Sequence, residues 1–182
     1  SVTNEEGLRE LMEQGPVTFY VGIDPTGTSL HIGHLIPLYV MAHLAEAGHN
    51  PIVIVGGGTA RIGDPSGKIE MRRMISIERI NANAEAMGQQ IEHFLRNRGC
   101  TFSMVNNADW LAELNYIEFL RDIGRHFSVN RMLSFETYKM RLESGLSFIE
   151  FNYQLLQSYD FLELYRRSGC RLQIGGDRSE EH

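Results

Sequence analysis

Cysteine is scarce in this sequence of 182 residues: Cys100 and Cys170 stand far apart, with no C-x-x-C spacing. That suggests neither a zinc site nor a disulfide framework and makes a reducing cytoplasm the expected compartment. Positive charge is in deficit too. Seventeen basic against twenty-three acidic residues leave a net charge of −6 and a pI near 5.6, so the surface as a whole does not grip nucleic acid and any RNA contact is local. Long apolar runs are missing, since Gly, Pro or a charge interrupts each one short of bilayer-spanning length. The opening "SVTNEEGLRE" lacks the basic start and apolar stretch of a signal peptide. Repeats, linkers and low-complexity tracts are absent as well. What is present is 42% hydrophobic residues, enough for one sizeable core, and a single domain over 1–182 is expected.

The segments alternate. "TNEEGLRELMEQ" places Thr3 and Glu6 in capping-box spacing and predicts a short amphipathic helix. "VTFYVGI" reads as a strand, and after the loop Asp24 to Ser29 the residues Leu35, Leu38, Ala42 and Ala45 recur at helical period until Gly48 closes the segment. "PIVIV" predicts a buried strand, a long polar helix is expected from about Ser76 to Arg98, and "TFSMV" a third strand. Two or three helices are expected between Tyr116 and Tyr165, and "CRLQIGG" a last strand. Strands separated by helices imply an α/β fold with a parallel sheet, which binds ligands at the carboxyl ends of its strands.

The glycine-rich stretch "GGGTARIGDPSGK" fits neither of two familiar phosphate-binding patterns. A P-loop needs glycine where Ile62 stands and Ser or Thr where Ile69 follows Lys68. A dinucleotide fingerprint starting at Gly56 needs glycine where Arg61 sits. By contrast, His31 and His34 fall three apart at the expected first turn of a helix, where free amides and the helix dipole attract phosphate and imidazoles can donate to its oxygens. Metal ligation is the rival use, but no third ligand lies at a convincing spacing, and no metal site is expected.

Together, "YVGID", "HIGH", "GDPSGK", "FSVNRML", "YQLLQSYDF" and "LQIGG" resemble the catalytic domain of bacterial tyrosyl-tRNA synthetases, class I aminoacyl-tRNA ligases, from about Leu8 to Gly176. The H-I-G-H motif marks the whole class. The choice of tyrosine rests on Tyr20 and on the series Tyr153, Gln157 and Asp160, which share one face of an otherwise apolar helix. The resemblance implies a Rossmann-like nucleotide-binding sheet, with Tyr20 and Asp160 on the substrate phenol. Asp64, Tyr153 and Gln157 would hold the ammonium group, with Gln173 close by. A buried phenol needs such partners, which phenylalanine would leave unpaired.

The implied reaction joins tyrosine to ATP as tyrosyl-adenylate with release of pyrophosphate, then transfers tyrosine to tRNA. A carboxylate is already a nucleophile, so positioning and donors aimed at the phosphates carry the first step. Thr26, His31, Lys68 and Arg72 are the candidates, with Lys68 and Arg72 on a flap in "SGKIEMRR". His34 and Gly33 would line the adenine side, Gly22, Asp24 and Gly176 the ribose side, and Mg²⁺ would accompany ATP.

Where the family continues past the last strand with Ser or Ala and then Asp-Gln-Trp-Gly-Asn, this chain reads "DRSEEH" after Gly176 and stops. Asp177 is therefore a weak ribose candidate. The lysine-bearing K-M-S-K-S loop and the anticodon-binding domains are not in this chain, which is expected to be the first half of an enzyme. Residues about 110–150 correspond by resemblance to a helical insertion that forms twofold dimers, with Phe148 at the interface, so a homodimer is expected. Two other readings stay open: a tryptophan-specific relative, and a catalytically silent module that binds or dimerises.

Overall fold

Runs rich in β-branched and aromatic side chains form a parallel sheet, and the segments between them fold back as helices. The structure, a computed structural model, describes residues 2–62 and 75–175. In chain order the elements are α1 (Glu5–Glu13), β1 (Thr18–Ile23), α2 (Ile32–Glu46), β2 (Asn50–Val55), α3 (Ile77–Arg96), β3 (Ser103–Asn106), α4 (Ala108–Leu111), α5 (Tyr116–Asp122), α6 (Val129–Leu133), α7 (Glu136–Ser144), α8 (Phe148–Phe151), α9 (Tyr153–Ser168) and β4 (Leu172–Ile174). The strands lie in the order β3-β2-β1-β4, with every pairing parallel. Strand order reverses at β1, and a crevice at such a reversal is where open α/β sheets bind ligands.

Alternating side chains divide the core between the two faces of the sheet. Phe19, Val21, Ile23 and Val53 pack against Leu38, Met41 and Ala42 of α2 and Met87, Ile91 and Leu95 of α3. Tyr20, Ile52 and Ile54 face the other way, toward Trp110 of α4 and Leu164 of α9. Phe119, Met132, Tyr138 and Leu155 form a smaller third cluster under α5 to α9.

Local signals explain most boundaries, with some corrections. The N-cap of α1 is Asn4, whose side chain accepts from the Gly7 amide at 2.9 Å, and not Thr3. The helix expected to be polar, α3, is amphipathic and buries Ile80, Met87, Ile91 and Leu95 in a stripe. Between Tyr116 and Tyr165 the chain makes five helices where two or three were expected, because Asn115, Ser128, Phe135 and Ser147 each restart it from extended backbone. Gly169 closes α9 in the left-handed conformation, φ +63°, and turns the chain into β4 beside β1. No helix among the described residues is long and apolar enough to cross a membrane.

Candidate active site at the strand ends

Just past the carboxyl ends of the strands, a chain of polar contacts runs across the sheet. Asp24, following β1, accepts a hydrogen bond from the Thr59 hydroxyl at 2.7 Å. Asn107, following β3, donates from Nδ2 to that hydroxyl at 3.1 Å and to Asp160 Oδ2 at 2.9 Å, while its Oδ1 accepts from the Gly58 amide at 2.7 Å. The other Asp160 oxygen accepts from the Trp110 indole at 2.8 Å. This crowding accounts for the glycine run after β2. A side chain at Gly56 would collide with the Asp24 carboxylate and the Thr59 hydroxyl, one at Gly57 with Asn106, and one at Gly58 with Leu111. The glycines let neighbouring side chains approach the backbone closely here.

Asp160 is 3% exposed. Burial pushes its carboxyl up to about 7; the bonds from Asn107 and Trp110 pull the other way, and the Asp24 charge adds to the rise. Tyr20 is 1% exposed, and its phenol is raised well above the ordinary range by burial and then by the charges of Asp160 and Cys170. The Tyr20 hydroxyl has no hydrogen-bond partner among the described residues, and neither does Gln157 Oε1. Buried polar atoms are nearly always paired, so the two stand out beside Asp160. Tyr153 donates its hydroxyl hydrogen to Asp24 Oδ2 at 3.0 Å, which draws Asp24 into the group formed by Tyr153, Gln157 and Asp160. Gln173 of β4 lies in register beside Tyr20 of β1. Gly22, two residues on from Tyr20, is exposed in the midst of a buried strand.

The two histidines cap their own helix. His31 Nδ1 accepts from the Gly33 amide at 3.1 Å, and His34 Nδ1 accepts from the His31 amide at 3.2 Å. Their rings stack at 3.7 Å. A side chain at Gly33 would strike the His31 ring, so the glycine of the motif is what lets the ring fold back. An accepting Nδ1 is unprotonated, so each neutral ring carries its proton on Nε2 as a donor. Burial, then the neighbouring His31, lowers the His34 pKa. The preceding loop is strapped to α3: Asn83 donates to the Pro25 carbonyl at 3.1 Å, and Gln90 bonds both the Leu30 amide and the Thr28 carbonyl at 3.1 Å. Thr26 sits exposed on that strapped loop.

Asp64, Lys68, Arg72, Gly176 and Asp177, together with the "GDPSGK" segment, lie outside the described residues. Asn107, Trp110 and Thr59 did not emerge from the sequence. The available signal was "NNADW", a polar pair at the end of a strand followed by the chain's one tryptophan.

A family model described as tRNA synthetases class I (W and Y) matches residues 12–182. The tyrosine–tRNA ligase of Treponema denticola is 59% identical over 175 residues, covering 96% of this chain and 43% of that protein. That of Acetivibrio thermocellus is 57% identical over 176 residues, with 97% and 43% covered. The chain thus spans less than half the length of these relatives. Among solved structures, a C-terminally truncated mitochondrial tyrosyl-tRNA synthetase of Aspergillus nidulans superposes with a TM-score of 0.86 at 31% identity, covering 98% of this chain and 54% of that one. The tyrosyl-tRNA synthetase of Archaeoglobus fulgidus complexed with L-tyrosine, at 22% identity and a TM-score of 0.74 over 99% of this chain and 52% of that one, shares the fold.

Proposed function

The chain belongs to the class I tRNA synthetases of the tryptophan and tyrosine family, and from that premise we propose that it is the amino-acid-activating part of a tyrosine–tRNA ligase. One observation carries the choice of tyrosine. An Asp160 carboxylate fixed by two donors and a Tyr20 hydroxyl with no hydrogen-bond partner among the described residues are buried on the same side of the sheet. A phenol both donates and accepts, so it satisfies the pair, whereas an indole N–H only donates. In this reading Asp160 accepts the phenol proton and Tyr20 donates to the phenol oxygen. Tyr153, Gln157 and Asp64 take the ammonium group, aided by the negative charge of Asp24, and Gln173 sits nearby.

The tyrosine carboxylate attacks the α-phosphate of ATP; a carboxyl-to-phosphorus bond forms, the anhydride to the β-phosphate breaks, and pyrophosphate leaves with the electron pair. The nucleophile is already ionised, so no general base is required. His31 donates its Nε2 proton toward the phosphates from a ring held by the Gly33 amide and stacked on His34, and Thr26, Lys68 and Arg72 supply further donors where charge accumulates. His34 and Gly33 line the adenine, with Gly22, Asp24 and Gly176 at the ribose. Mg²⁺ arrives as the counter-ion of the ATP phosphates. Among the described residues no cluster of three His, Cys, Asp or Glu is arranged to hold a metal. Transfer to tRNA(Tyr) requires the remainder of the ligase. Buried free thiols at Cys100 and Cys170 accord with a cytoplasmic location.

Exposed apolar side chains support a homodimer built on the segment about 110–150. Phe148 is 71% exposed, and Met140, Leu142 and Ile149 are exposed too, while Phe119 and Met132 of the same segment are buried. ATP–pyrophosphate exchange that depends on tyrosine, with no response to tryptophan, is the expected result for the activation step and needs no tRNA. Stabilisation of the fold by tryptophan with no effect of tyrosine would overturn the assignment.

A further inference from the structure

Trp110 is held by α9 at two points. Its indole N–H meets Asp160 Oδ1 at 2.8 Å, and the Arg167 guanidinium lies over its ring, 5.1 Å from the centroid. Between these contacts on the same helix stands Glu163. It binds Arg167 Nε through Oε2 at 2.9 Å and Arg166 through Oε1 at 3.2 Å. Asp160, Glu163 and Arg167 follow one another at i, i+3 and i+7, so they line one stripe of the helix. The Glu163 side chain is 11% exposed and that of Arg167 is 53% exposed, which makes a sheltered carboxylate bracing a guanidinium that roofs the indole. Burial alone would raise the Glu163 carboxyl, but the bonds from Arg167, Arg166 and Tyr159 hold it below its ordinary value. It is therefore charged at neutral pH and keeps Arg167 in place.

We propose that the Glu163–Arg167 pair is a positioning clamp for substrate selectivity: it pins the Trp110 ring, and the pinned indole N–H fixes the Asp160 carboxylate that discriminates a phenol from a bare phenyl ring. The proposal rests on the reading of Asp160 as the phenol acceptor. A cation over an aromatic face is attractive by electrostatics, and more so where water is partly excluded. Trp110 is 7% exposed, so the face covered by Arg167 is a sheltered one. With the clamp released, the indole can tilt, Asp160 keeps only the Asn107 bond, and its oxygen no longer waits at a single position.

The chain's one tryptophan makes the clamp directly observable, because all tryptophan fluorescence comes from Trp110. Three versions of this chain are compared: the parent, Arg167→Met and Arg167→Lys. Each is checked for an unchanged circular dichroism spectrum, then measured by acrylamide quenching without ligand and by calorimetric titration with tyrosine and with phenylalanine. Arg167→Met is expected to raise the quenching constant roughly twofold and weaken tyrosine binding about tenfold while leaving phenylalanine nearly unchanged. Arg167→Lys, which keeps the cation, is expected to restore most of both. Unchanged quenching in Arg167→Met overturns the clamp. So does an equal loss for both amino acids that lysine fails to restore. A parent that binds no tyrosine overturns the proposed function and the selectivity it implies, while the quenching series still decides whether Arg167 holds Trp110.

Discussion

Tyr153 and Asp24, 129 positions apart in the chain, meet in a 3.0 Å hydrogen bond that ties the first turn of α9 to the end of β1. The tyrosine donates to the carboxylate, and in the proposed reading its oxygen also accepts from the substrate ammonium group. Tyr153→Phe removes both the tie and the acceptor. We expect the fold to lose about 1 kcal/mol, as for one net hydrogen bond. Tyrosine affinity should fall roughly tenfold, as the ammonium group loses a partner. Urea denaturation and calorimetry read the two effects separately, and unchanged affinity would remove Tyr153 from the ammonium site.

The raised carboxyl of Asp160, about 7, makes stability depend on pH with a definite sign. Between the ordinary carboxylate pKa and about 7, the folded chain binds a proton that the unfolded chain has released, so this group's contribution to stability falls as pH rises through that window and levels off above it. Asp160→Asn should flatten that slope in melting temperatures measured from pH 5 to pH 8. Tyrosine affinity in the parent should move the opposite way and strengthen as pH rises through about 7, because the ionised carboxylate accepts the phenol hydrogen far more strongly than the neutral carboxyl. An affinity that is flat across this range would argue against a phenol at Asp160.

His31 and Lys68 are assigned partners that exist only when the phosphates are present. In the full-length ligase, His31→Ala or Lys68→Ala should slow adenylate formation about a hundredfold, or about 3 kcal/mol, with tyrosine affinity nearly unchanged. Stopped-flow traces with the parental rate constant would remove the substituted residue from the mechanism.

Phe148, 71% exposed at the start of α8, faces solvent while Phe119 and Tyr138 of the same segment are buried. Near a twofold axis one change acts twice, so Phe148→Asp is expected to place two carboxylates in the interface and shift the chain to monomer. A residue this exposed contributes little to the fold of the protomer, and the melting behaviour of the monomer should stay cooperative. Sedimentation of the unmodified chain as a monomer at micromolar concentration would reject the dimer for this chain.

Much of this protein was legible in the chain before any coordinates. The α/β alternation, the parallel sheet and the histidine pair at a helix start all follow from local rules: residue period, helix caps and the steric needs of turns. Tyr153, Gln157 and Asp160 share a helix face because 3.6 residues make a turn, so their common orientation is a property of the sequence alone. Other features required the fold. Asp160 is held by Asn107 and Trp110, Asp24 by Thr59 and Tyr153, and Arg167 roofs Trp110. These groups come from separate strand ends and helices, and no periodicity or spacing encodes how a sheet brings them together. The five helices that start between Tyr116 and Tyr165 are of mixed origin: Asn115 and Ser147 cap two of them locally, while the way they pack around Phe119 and Tyr138 is tertiary. Local physics determined which elements form. Only tertiary packing, by removing water and joining distant polar groups, decided which carboxylate is raised, which hydroxyl is left without a partner, and hence where a ligand can bind.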